Sequence, residues 1–63
     1  MKNEKVRKMM FKHYINQSEL AEILGLSMAE VSIMLKHELA PEEQKNIIEE
    51  IKSWVEAQEE EGA

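Results

Sequence analysis

The sequence predicts an all-α fold, a compact domain of four helices. Three observations carry that expectation. Helix formers (Glu, Lys, Leu, Ile, Met and Ala) dominate, while two Gly, one Pro and one each of Phe, Tyr and Trp are too few for a turn-rich β sandwich. Two capping boxes, Asn16 with Glu19 and Ser27 with Glu30, follow one another closely. After Pro41, apolar residues recur every three or four positions.

The first helix is expected from about Asn3 to His13. Val6, Met9, Met10 and His13 share one side at helical spacing, and Lys5, Lys8 and Lys12 form a separate stripe, so one face is oily and another cationic. Arg7 and Phe11 lie away from the oily face. Phe11 either packs under a neighbouring segment, the commoner outcome, or meets a partner. The second helix begins at Asn16, whose side-chain oxygen can accept from a free backbone N–H while Glu19 reaches back to the cap. Leu20, Ala21, Ile23 and Leu24 follow, and Gly25 suits the left-handed residue that ends a helix.

Only Leu26 separates Gly25 from Ser27, which caps a third helix over residues 28–36. Val31, Met34 and Leu35 make its core side. Ala29, Ser32 and Lys36 make its outer side, flanked by Met28 and Ile33. Lys36 and His37 fall in the last turn, where positive charge complements the dipole. Ala40 precedes Pro41 and is biased away from helix, whereas Pro41 suits the first position of a fourth helix. That helix, carrying Ile47, Ile48, Ile51, Trp54 and Val55, is expected to reach about Ala57, roughly 25 Å. Residues 58–63 read as a frayed acidic tail, which leaves residues 1–57 as a single domain.

Composition excludes several functions. With no Cys, neither a disulfide framework nor a thiolate metal site is expected, and His13 and His37 lie far apart with no ligand-spaced carboxylates between them. The five Met read as core filler. No apolar run approaches the roughly 20 residues that span a bilayer, and the N-terminus lacks the apolar stretch of a signal peptide. Ser18, Ser27, Ser32 and Ser53 include no nucleophile elbow, and no glycine-rich phosphate loop occurs, so no catalytic residue and no cofactor is expected. The formal charge of −5 is polarised: residues 1–14 sum to +4, residues 15–37 to −2 and residues 38–63 to −7. A basic head can meet a polyanion locally despite the acidic total, because screening confines the attraction to about 8 Å. Equally, both runs can be solvated helix faces.

Two short helices joined by a turn containing Gly make a helix-turn-helix, and residues 17–36 fit that unit wherever packing is demanding. Ala21 is small where helices cross, Gly25 supplies the turn, and Leu20, Leu24, Leu26, Val31 and Met34 make a shared core. The stretch from Ile15 to Ser27, Ile-Asn-Gln-Ser-Glu-Leu-Ala-Glu-Ile-Leu-Gly-Leu-Ser, resembles the signature of the phage lambda repressor/Cro-like (xenobiotic-response-element-type) helix-turn-helix family. The resemblance extends from Val6 to about Leu39. It implies a bacterial or phage-like, cytoplasmic transcriptional regulator whose third helix enters the major groove of double-stranded DNA. By resemblance, Gln17 meets a phosphate, and Ser27, Met28, Ala29, Ser32, Ile33 and Lys36 face the DNA.

The chain also departs from that family. Met28, Ala29 and Ile33 stand where members often carry polar, base-reading residues; apolar side chains can still touch a thymine methyl. Met10 and Leu35 stand where many members pair an Arg with a Glu, and read as an apolar replacement. Weaker phosphate contacts are expected from Lys5, Lys8, Lys12 and Asn16. The competing reading is a protein-interaction module, antirepressor- or antitoxin-like, that keeps the fold without DNA. Ile47, Ile51, Trp54 and Val55 either close the monomer's core or form a homodimer interface, which would set two third helices about 34 Å apart.

Overall fold

A computed structural model describes residues 2–62, all of whose regular structure is helical: α1 (Glu4–Lys12), α2 (Gln17–Leu24), α3 (Met28–Lys36) and α4 (Pro41–Gly62). The fold is all-α, as the composition predicts. α4 is the spine, packing against α1 and α2, while α3 packs chiefly on α2. Val6, Ile15, Leu20, Ala21, Val31, Leu35, Ile47 and Ile51 form the buried core, with Met9, Met10, Ile23, Leu24, Leu26, Met34, Leu39, Ile48, Trp54 and Val55 packed around it. Fully burying a Val, Leu or Ile side chain contributes about 1.5–3 kcal/mol, and seven of the eight core residues are of these types, the eighth being Ala21.

Both capping boxes form. Glu19 N–H donates to Asn16 Oδ1 at 2.8 Å and Asn16 N–H to Glu19 Oε1 at 3.3 Å. Glu30 N–H donates to Ser27 Oγ at 3.1 Å and Ser27 N–H to Glu30 Oε1 at 3.2 Å. Gly25 has φ 69° and ends α2 with two bonds, from Leu26 N–H to the Ala21 carbonyl (2.8 Å) and from Gly25 N–H to the Glu22 carbonyl (3.3 Å). α1 ends in the same way. Ile15 N–H donates to the Met10 carbonyl (2.8 Å) and Tyr14 N–H to the Phe11 carbonyl (3.2 Å), with Tyr14 at φ 57° in the left-handed position. Both ends are Schellman motifs, and in each the following residue, Ile15 or Leu26, packs inward.

Asn3 is the cap residue of α1 and is wholly buried. Its φ of 57° is one that Asn tolerates, and its side chain does not cap its own helix. It reaches across the molecule instead. Nδ2 donates to the carbonyls of Leu35 (3.3 Å) and His37 (2.8 Å), and Oδ1 accepts from Leu39 N–H (2.8 Å). Asn3 N–H also donates to Glu38 Oε2 (2.8 Å), and Gln44 Nε2 donates to Glu38 Oε1 (3.2 Å) and the Leu39 carbonyl (2.9 Å). This network fixes the α3–α4 connection, and no buried side-chain N or O among the described residues lacks a partner.

Three expectations need correction. α4 continues past Ala57 to Gly62, because the Glu-rich stretch contains good helix formers and no stop before that glycine; Ala63 lies outside the described residues. Phe11 is not packed under a neighbour but is 85% exposed, since no segment among the described residues covers it. Ile47 (8% exposed) and Ile51 (0%) lie inside the monomer's core, so these two residues are unavailable to a dimer surface; Trp54 and Val55 remain half-buried.

Candidate nucleic-acid interface

α3 is held from two sides and open on a third. Val31 and Leu35 are buried, and Met34 packs against the core. Because a helix turns 100° per residue, positions 29, 33 and 36 point the opposite way. Ala29 and Lys36 are exposed, Met28 and Ile33 are 55% and 59% exposed, and Ser32 is half-buried at the edge. α2 and α3 are separate helices meeting at Gly25, and the Ala29–Ser32–Lys36 edge is not sealed inside the molecule.

Gln17 is exposed at the first position of α2, and Ser27 at the cap of α3. The Asn16 and Ser27 oxygens already accept capping bonds, so Asn16 Nδ2 and the Ser27 hydroxyl proton are what these side chains can offer an outside acceptor. The structure thus gathers Ser27, Met28, Ala29, Ser32, Ile33 and Lys36 on the exposed side and edges of one helix and its cap. It is a strip of three apolar side chains with two hydroxyls and an ammonium along it.

The lysine stripe sits elsewhere. Lys5 borders a groove with Pro41, Lys45, Ile48, Glu49 and Lys52, and Lys12 another with Met9, His13, Lys52, Val55, Glu56 and Glu59, both along α4. Lys8 pairs with Glu4 at 3.2 Å on the exposed side of α1, a contact worth only a few tenths of a kcal/mol. The cations that do touch α3 are ones the sequence reading did not select. Lys2 Nζ donates to the Lys36 carbonyl (3.0 Å), and Arg7 donates through Nη2 to the Leu35 carbonyl (3.1 Å) and through Nε to the Lys2 carbonyl (2.9 Å). Both satisfy carbonyls that a helix C-terminus leaves free and offset its partial negative charge. Leu35 is buried and Met10 half-buried.

Among the described residues, no group of three or more His, Asp or Glu side chains is placed to hold a metal ion, and no helix is long and apolar enough to cross a membrane. Comparison with protein families, curated proteins and solved structures finds no match to this chain.

Proposed function

We propose that the chain is a small sequence-specific DNA-binding regulator of the lambda repressor/Cro-like helix-turn-helix type, with α3 lying in the major groove. The observation that carries this reading is the pairing of a rigidly capped α2–α3 elbow with an outward α3 edge of Ala29, Ser32, Ile33 and Lys36. A helix of this width fits the major groove, which is about 12 Å across. Met28 and Ile33 supply apolar contacts of the kind thymine methyl groups accept, Ser32 reaches a base edge, and Lys36 meets a phosphate. Gln17, at the N-terminus of α2, adds a phosphate contact helped by the helix dipole. Asn16 contributes more weakly, through an Nδ2 hydrogen bond, and Lys5, Lys8 and Lys12 through long-range attraction. The reading assigns no catalytic residue.

Binding of the full chain to duplexes selected from a random pool tests it. The selected duplex should bind at low salt and lose affinity as salt rises. Lys36→Gln should reduce the slope of log affinity against log salt by about one, and Ile33→Glu should abolish binding. If no duplex binds at low salt, the reading fails.

One observation favours a second reading, a protein-interaction module. Met28 and Ile33 are more than half exposed on a chain of net charge −5, which suits burial against a protein better than approach to a polyanion. In that case Met28→Glu and Ile33→Glu remove binding to a protein partner and no DNA binding is there to lose. Homodimer formation, if it accompanies either role, has the half-exposed parts of Trp54 and Val55, in the C-terminal half of α4, available.

A further inference from the structure

The end of α1 carries the two most exposed large hydrophobic side chains among the described residues, Phe11 at 85% and Tyr14 at 90%. Phe11 lies on an exposed side of α1 beside Glu4, Arg7, Lys8 and Lys12, all five from the one helix. Three of those five side chains are cationic, and the single acid is already paired with Lys8. This side of α1 is therefore locally positive on a chain that is negative as a whole.

Tyr14 belongs to the same helix end, since its N–H is bonded to the Phe11 carbonyl. Its left-handed φ of 57° is one that glycine adopts freely and a tyrosine resists. The left-handed turn closes α1 and lets Ile15 pack into the core, but the Tyr14 side chain itself gains almost no packing. A large aromatic ring left in solvent where glycine would serve the turn points to a contact made outside the monomer.

We propose that this basic and aromatic side of α1 docks an acidic amphipathic helix of a partner protein. Phe11 and Tyr14 enter the apolar stripe of that helix, and Lys8 and Lys12 meet its carboxylates. Aromatic residues are enriched at the centre of such contacts, and charges such as those of Lys8 and Lys12 set specificity at the rim. Other occupants fit less well. A second copy of the chain separates the two features: Trp54 and Val55 of its acidic α4 are half-buried against its own core, and its exposed apolar pair, Met28 and Ile33, lies on α3 rather than on that acidic helix. A DNA backbone supplies phosphates for the lysines but nothing for the rings. A bilayer surface needs a broad apolar face, whereas charged Glu4, Arg7, Lys8 and Lys12 surround Phe11.

The test titrates isotope-labelled full-length chain with a synthetic helical peptide that has Leu at three- and four-residue spacing and Glu elsewhere. A scrambled peptide of the same composition, a mixed-sequence DNA duplex and phosphatidylserine vesicles serve as parallel arms. The expected result is amide shifts concentrated over residues 7–14, with an affinity that falls as salt rises. Phe11→Ala and Tyr14→Gly, both shown folded by thermal melting, should each weaken binding about tenfold. The proposal is overturned if no shifts appear, if they centre on α3 or α4, or if Phe11→Ala binds as well as the parent. It is overturned too if the scrambled peptide, the duplex or the vesicles perturb residues 7–14 as strongly as the helical peptide. The peptide arms do not depend on whether α3 binds DNA.

Discussion

Tyr14 and Gly25 occupy the same place in two copies of one stop signal, and they make opposite predictions. A Cβ at Gly25 would meet nothing within 4 Å, so the cost of Gly25→Ala comes from the left-handed backbone alone, about 1–2 kcal/mol. Tyr14→Gly removes the corresponding strain, less the added freedom of glycine in the unfolded chain, and should stabilise by about 0.5–1 kcal/mol. Thermal unfolding resolves both, since 1 kcal/mol moves the midpoint of a domain this size by about 4–8 °C. The pair also shows that one geometry can carry different signals: glycine announces a left-handed residue and tyrosine does not, so the apolar spacing that ends at His13, and not Tyr14, marked the end of α1. Asn3 was illegible for another reason. Its partners lie 32 to 36 positions away, so no local pattern encodes them. Asn3→Ala leaves the Leu39 N–H and the His37 carbonyl without their side-chain partner and should cost about 3 kcal/mol, measurable by urea unfolding.

The helices themselves were the most legible level, because their start signals are local. Asn16–Glu19 and Ser27–Glu30 satisfy donors within four residues, and Pro41 needs only its own ring to set φ. Where no stop signal exists the boundary was missed, and α4 ran on through an acidic stretch. At 22 residues it is about 33 Å long and accounts for most of the molecule's 37 Å long axis. Its buried residues end at Ile51, with Trp54 and Val55 half-buried, and Gln58 and Glu59 are exposed. Glutamates near a helix C-terminus also oppose the dipole. Removing residues 58–63 should therefore shift stability by no more than about 0.5 kcal/mol in urea unfolding. A larger loss would mean that the end of α4 makes contacts the core does not require.

In the molecule as a whole, charge and packing divide the labour. α4 carries most of the negative charge and closes the core over α1 and α2, which leaves α3 supported by α2 and tied at its C-terminal end to Asn3, Lys2 and Arg7. The strip on α3 could be read from the sequence because helical periodicity alone decides which residues face away from Val31 and Leu35. The cations nearest α3 could not, since placing Lys2 and Arg7 requires knowing how α1 crosses the end of α3. Nor could periodicity reveal that Phe11 lacks a cover. The most direct measurement is an amide chemical-shift titration of the chain with duplex DNA at low and moderate salt. DNA binding through α3 predicts shifts confined to residues 16–36 that weaken as salt rises. An unperturbed spectrum at low salt, or shifts confined to α4, would contradict it.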